Sequence, residues 1–567
     1  MDSPSSMDTL PNELLTDIFR LLHHDLTPGS HRALKPFLLV NWKWHNLAAP
    51  ILFKSLRLYV ESTGAKLAIG TVSNICPKPF EYIESPRFFD KEWDDKKASQ
   101  DLVESILPPE TVAYEYCEYL RIDVMTSSSG RELEKMLTGC NNLRHIDVII
   151  FFTETPTTAL LSTLQRIQLS LDKMNLETFR LRVKTCLKGE TENFMDMLID
   201  PEKEFSSTFL NPIAASVTHL SIDQRDDDCN YGHYDRSSGR VKYFENLNLE
   251  RFKRLKSFAF QWRAYDEYNR YGMQPIWYNS DQATFWKALQ NTQIQELVLS
   301  RSVPRVHWSG SFLDFDINAK VTFAVLPSTL TKIDMTTDVF YWKKYFNPMS
   351  ILTQLEHLET LIIRNVRQGG GYIENSQENV TGFIYDQSVT GKEIIKCKAL
   401  HTFRLEHTGP IDLMPMIVKQ CPLLKDVHLP IYSTDTDLLM LASKCQHLTR
   451  VGFKIIGMSD EGLGHLCDAK NLCEIHMLTE SLDFVSRVNV FERWARELPG
   501  LKAVVVRPCQ HLGSEEDQAV EGGTKFESED EECDRKEWLN GFVKRDVCTS
   551  EKYFDMVAMR KDLVAGG

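Results

Sequence analysis

The chain has 567 residues, 42% hydrophobic and 25% charged, with a formal net charge of −14, which is ordinary soluble-protein composition but too long for one core. Much of the acidity is local: Glu515 to Asp534 holds ten carboxylates and one lysine, so the rest is only mildly acidic. No domain-scale basic excess exists to neutralise phosphates, and nucleic acid is not an expected partner.

Thirteen cysteines occur without CxxC pairs, which supports neither a zinc ribbon nor a disulfide framework and fits a reducing compartment. No apolar run approaches 18 residues, and the N-terminus lacks the regions of a signal peptide. A cytoplasmic or nuclear, non-membrane location follows as the expectation.

In chain order, residues 1–7 read as disordered. Leu10-Pro11-Asn12-Glu13-Leu14-Leu15-Thr16-Asp17-Ile18-Phe19 then begins a short helix, with Pro11 in its first turn. Leu10, Leu14, Ile18 and Leu22 recur every fourth residue, and Leu15 and Phe19 widen the stripe. That is more apolar surface than one small neighbouring face covers. A second apolar segment follows, with Val40, Trp44, Leu47, Pro50 and Phe53. Residues 56–140 are mixed. Pro77, Pro79, Pro86 and the charged run Lys91–Lys97 suggest an exposed excursion. This stretch is either a connecting segment or, through Leu56-Arg57-Leu58 and Leu120-Arg121-Ile122, the first irregular repeats with an insertion.

From 141 to 510 one phrase recurs: an aliphatic residue, two others, an apolar residue, one other, and an apolar residue. Leu400/Phe403/Leu405, Leu424/Val427/Leu429, Leu448/Val451/Phe453 and Leu472/Ile475/Met477 start 24 residues apart, and Cys397, Cys421 and Cys445 keep the same spacing. Looser copies begin at Leu143, Leu176, Val217, Leu255, Ile294, Leu330, Leu358 and Leu501. A period of 20–29 residues belongs to leucine-rich repeats. The last two apolar positions share one face of a strand, and the residue between them points the other way. Ser459–Leu466 and Thr436–Ala442 have leucines at helical spacing and would pack on the sheet. The predicted fold is therefore α/β, an all-α N-terminal module followed by an irregular repeat solenoid with a parallel sheet on its concave face. Residues 511–536 read as an acidic disordered segment, and 537–567 as capping helices.

The in-between positions are the binding candidates: Arg364, Arg404, Glu406, Asp426, His428, Arg450, Lys454, Glu474 and His476. The spaced cysteines suit burial better than metal ligation. No GxSxG, GxxxxGK[ST], HExxH or strand-linked GxGxxG is present, so neither catalysis nor a cofactor or metal is expected.

The order Leu-Pro-x-Glu-Leu-Leu-x-x-Ile-Phe, followed by Val-x-x-x-Trp-x-x-Leu, resembles an F-box over residues 8–55. The whole chain is similar to F-box proteins with C-terminal leucine-rich repeats, and the cysteine spacing resembles the cysteine-containing class of such repeats. The resemblance implies a three-helix module in which Leu10, Pro11, Leu14, Leu15, Ile18 and Phe19 contact the Skp adaptor, with Val40, Trp44 and Leu47 holding or extending that surface. Through the adaptor it implies cullin, and on the concave face a protein target for ubiquitination. Its alternative is a ubiquitin-independent interaction scaffold with the same parts. The loop Asp25–His31 is longer than in compact F-boxes.

Overall fold

Two apolar residues placed two apart in an extended segment bury on one side, and that rule builds both halves of this protein. A computed structural model of the chain describes residues 10–24, 38, 41–61, 64–69, 112–125, 133–152, 158–171, 174–185, 211–226, 249–263, 289–302, 326–337, 348–365, 394–405, 413–429, 433–455, 458–479, 488–508, 543–545 and 552–565. The charged run 91–97 and the acidic segment 511–536 lie outside these residues. The chain divides into two units, Met1–Ile294 and Gln295–Gly567.

In the first unit, helices α1 (Asn12–His24) and α2 (Trp42–Leu52) precede strand β1 (Ser55–Glu61). The side chain of Asn41 caps α2 by accepting from the Trp44 amide at 2.9 Å. The strands β2 (Gly64–Ile69), β3 (Tyr119–Met125), β4 (His145–Phe152), β5 (Thr178–Thr185), β6 (His219–Asp226) and β7 (Ser257–Arg263) follow, with α3 (Leu133–Gly139) and α4 (Thr158–Leu171) among the returning segments. β1 and β3–β7 form one parallel ladder, and β2 covers the outer edge of β1 antiparallel. The register Leu56↔Leu120 and Leu58↔Ile122 makes β1 and β3 repeat strands, so the array starts directly after α2. Successive strands stack Leu56, Leu120, Ile146, Phe179, Leu220 and Phe258 into a column at most 2% exposed. Each such side chain contributes about 1.5–3 kcal/mol by leaving water.

The second unit contains β8 (Glu296–Ser302), β9 (Lys332–Thr337), α5 (Pro348–Gln354), β10 (Thr360–Asn365), β11 (Thr402–Leu405), α6 (Leu413–Gln420) and β12 (Asp426–His428). It continues with α7 (Asp435–Lys444), β13 (Arg450–Lys454), α8 (Asp460–Gly464), β14 (Glu474–Thr479), α9 (Val488–Glu497) and β15 (Ala503–Pro508). β8–β15 are parallel in sequence order. Their inner column, Leu297, Ile333, Leu361, Phe403, Val427, Val451, Ile475 and Val504, is fully buried. The 24-residue cysteines stack beside it. Cys397 donates its thiol to the Leu352 carbonyl at 3.6 Å and Cys421 to that of Cys397 at 3.7 Å. Burial pushes the Cys445 thiol up to about 12, so these sulfurs act as small core groups. Successive helices are also tied: Ser459 caps α8 by accepting from Gly462 at 2.9 Å and donates to Asp435 on α7 at 2.6 Å.

A parallel array ends on an open strand edge, which invites wrong pairing. Here β17 (Lys552–Asp555) pairs antiparallel with β15, and β16 (Val543–Arg545) pairs with β17. The tail 537–567, expected to hold only helices, therefore supplies two strands as well as α10 (Met556–Ala565). From α10, Arg560 donates to the carbonyls of Ala495, Leu498, Pro499 and Leu501 at 2.7–3.2 Å. A guanidinium there satisfies carbonyls that the end of α9 leaves without helical partners.

Candidate protein-binding surfaces

The helix pair α1/α2 sorts the expected adaptor contacts into two groups. Leu15 and Phe19 are 0% and 1% exposed, and Trp44 is 5% exposed. The Phe19 and Trp44 rings meet edge-to-face with centroids 5.7 Å apart, so these residues hold the pair together. Leu14 is 51% exposed, Pro11 is exposed, and Leu10, Ile18 and Leu47 are half-buried. Lys43 ties the start of α1 to α2 by donating to the Leu10 carbonyl at 2.9 Å. Val40 lies outside the described residues. The residue that sequence reasoning missed is Trp42, 76% exposed and stacked on His45 at 5.9 Å. Two helical positions two apart differ by about 200°, so Trp42 and Trp44 had to face opposite ways.

On the open face of the second unit, register brings charges from consecutive strands together. Arg404 donates to both carboxylate oxygens of Asp426, at 2.6 and 3.2 Å. Arg450 reaches Asp426 at 3.4 Å and Glu474 at 2.7 Å. His476 meets Glu474 at 3.3 Å. Burial would raise the Glu474 carboxyl, but the His476 hydrogen bond and the Arg450 charge hold it below its ordinary value. His428 and His476 approach with ring centroids 5.6 Å apart, two strands away from each other. Gly452 sits between them in the ladder, and a Cβ there would lie 2.6 Å from His428 Cγ. Only a glycine lets the His428 ring lie along that row. Lys454 is half-buried two register positions beyond Gly452. Arg364 stands in β10 opposite Thr336, with its side chain outside the described set, and Glu406 is itself outside it.

The first unit carries a network not among the expected contacts. Asp123 accepts from Arg57 at 2.5 Å and Arg121 at 2.9 Å, and Asp147 accepts from Arg182 at 2.6 Å. Arg121, Asp123, Asp147 and Arg182 are each at most 7% exposed although they lie opposite the core. The arginines at in-between positions were the available signal, hidden because the repeat copies holding them are irregularly spaced. Beside them His145 stacks on Tyr119 at 4.4 Å, and burial lowers its imidazole below the ordinary value.

Burial alone would raise the Asp123 carboxyl, yet the charges of Arg121 and Arg57 hold it below its ordinary 3.8. A depressed carboxyl adds stability above the unfolded value, and that stability is lost as pH falls below 3.8 toward the folded value. Acid titration of the first unit, followed by circular dichroism, should therefore show an unfolding limb below that pH which flattens in Asp123→Asn.

Among the described residues no group of three or more His, Cys, Asp or Glu is placed to hold a metal, and no helix is long and apolar enough to cross a membrane. No family model matches the chain, and no curated protein matches it. Among solved structures it is similar to the leucine-rich repeat-containing protein LegL7 from Legionella pneumophila. That similarity has 10% identity and a TM-score of 0.26, over 68% of this chain and 90% of that one. The 24-residue spacing, the in-register parallel strands and the inner aliphatic columns define a leucine-rich-repeat type of fold.

Proposed function

We propose that the chain is a non-catalytic substrate-recognition subunit of a Skp–cullin–F-box ubiquitin ligase. In this reading α1 and α2 dock on the Skp adaptor, and the open sheet face captures a protein target. The protein makes and breaks no covalent bond itself. Binding both partners raises the effective concentration of a target lysine near the ubiquitin thioester.

The observation that carries the reading is the state of Leu14. The helix pair fills its own interior with Leu15, Phe19 and Trp44, yet Leu14 and Trp42 remain largely in water. Large apolar side chains left out of a core favour a partner that covers them. The Leu-Pro-x-Glu-Leu-Leu order points to the Skp adaptor as that partner.

Leu14→Asp should weaken co-purification with the adaptor about 100-fold or more while leaving the melting temperature unchanged, because a carboxylate would be desolvated at the contact and nowhere else. Leu15→Asp makes the contrast, since it is expected to unfold the pair. Full adaptor binding by a folded Leu14→Asp chain would overturn the proposal.

A further inference from the structure

We propose that Cys397 and Cys421 are a reversible redox pair, oxidised by a peroxide to a disulfide that ties the β11 repeat to the β12 repeat. The inference is independent of the adaptor reading and adds a modification site to the second unit.

The repeat spacing places the two thiols together. β11 and β12 pair in parallel with Thr402 opposite Asp426, and the amides of Lys425 and Asp426 carry the ladder back to the His401 carbonyl at 2.8 and 3.0 Å. Cys397 and Cys421 each stand five residues before those partners, at the same offset of 24. Equivalent positions of stacked parallel repeats lie about 4.8 Å apart, inside the Cα separation of about 4.4–6.8 Å that a disulfide spans. Cys421 Sγ lies 3.7 Å from the Cys397 carbonyl, and the two thiols are within hydrogen-bond reach of each other.

Closeness alone does not make a thiol reactive, and the other cysteines supply the comparison. Cys117 and Cys140 form a second hydrogen-bonded thiol pair, in the first unit, at 0% and 5% exposed. There burial, and then the Cys140 thiol, push Cys117 well above its ordinary value, so that it keeps its proton. Cys445, next in the 24-residue column, is also raised by burial. Cys421 goes the other way. The Cys397 thiol donates to its sulfur and the Lys398 ammonium adds a favourable charge, and together they hold it below its ordinary value against burial. Lys398 is held beside it by donating to the Gln420 carbonyl at 3.3 Å. Cys397 is raised for the complementary reason, since it keeps the shared proton. The thiolate is the nucleophile, so Cys421 attacks and Cys397 resolves.

Both sulfurs are fully buried in the reduced chain, where they fill core space. Cys397 nevertheless lies in the irregular stretch 394–401, with exposed Lys396 and Lys398 on either side and Ile394 72% exposed. Such stretches open locally for less than the global unfolding cost, and hydrogen peroxide is little larger than water. The Cys421 thiolate attacks one peroxide oxygen, the O–O bond breaks, and the departing hydroxide takes up a proton to become water. Cys421 is left as a sulfenic acid. Cys397 then loses its proton and attacks the sulfenic sulfur, the S–O bond breaks, and a second water leaves. Two thiols have lost two electrons to one peroxide, and a dithiol reductant reverses the step.

The test uses the full chain, reduced, freed of reductant and exposed to excess hydrogen peroxide. Remaining thiols are blocked with iodoacetamide in denaturant and the digest is mapped by mass spectrometry. Among the described cysteines, the first cross-link should join the peptides of Cys397 and Cys421, two hydrogens lighter than the reduced pair, and dithiothreitol should remove it. Cys397→Ser should stop the reaction at Cys421, which dimedone then labels as a sulfenic acid; a thiol that only fills core space gives no such adduct. Lys398→Ala should slow cross-linking about threefold, as expected for one lost surface charge, and Cys445→Ser should leave it unchanged. The wild-type map needs no variant, so the proposal stays testable if a serine variant fails to fold. A first cross-link at Cys117–Cys140 or Cys421–Cys445, or Cys397 and Cys421 both still open to alkylation after peroxide, would overturn the inference.

Discussion

Trp494→Ala should open the C-terminal end of the second unit at a cost of about 3–5 kcal/mol, the range for deleting a large buried aromatic. Trp494 is fully buried on α9, its indole N–H donates to the Leu463 carbonyl at 3.0 Å, and its ring meets Phe491 edge-to-face at 5.6 Å. Removing it leaves a cavity and takes the indole donor from the Leu463 carbonyl at the end of α8. The damage should spread in one direction. Arg560 grips the carbonyls of Ala495 on the same helix and Leu498 just past its end, so displacing α9 also loosens α10 and the strand pair that closes β15. Repeat arrays lose structure by neighbour interfaces, not all at once. Hydrogen exchange should therefore show amide protection lost first in β15 and β17, with β4–β6 of the first unit unaffected. Trp494→Phe keeps most of the ring and loses the hydrogen bond, and should cost only about 1–2 kcal/mol. Uniform loss of protection across both units would contradict this account.

What the sequence made legible follows the same physics. Leu424/Val427/Leu429 and its neighbours could be read because burial imposes a period of two within each strand and the repeat imposes 24 between them. Elements outside that period were not readable. β2 and the β16/β17 pair belong to no repeat; they exist to cover strand edges, and Gly64–Ile69 or Lys552–Asp555 carry no phrase that announces this. The N-terminal stripe was legible as apolar but not as to which residues face in. Leu14 and Leu15 are chemically alike, and only the position of Trp44 against Phe19 separates a core residue from a surface one. The charged rows were half legible. Arg404, Asp426, Arg450 and Glu474 were found because their repeats are regular. Arg121 and Asp147 sit between the two inward residues of their strands, as Arg404 does, and Arg182 two residues beyond that row, but in repeats stretched by insertions.

Arg182→Ala should destabilise the first unit by about 3–5 kcal/mol, as expected when one member of a buried ion pair is removed. Arg182 and Asp147 are 6% and 3% exposed, with Nη2 and Oδ2 2.6 Å apart. The other oxygen, Asp147 Oδ1, is buried and accepts no hydrogen bond among the described residues. Loss of Arg182 thus removes the strong neutralising contact from a desolvated carboxylate. The double variant Arg182→Ala/Asp147→Ala removes the stranded charge together with its partner, so it should recover part of the loss. A double variant as unstable as the sum of the singles would mean that the pair is not coupled and that packing of the arginine stem carries the effect.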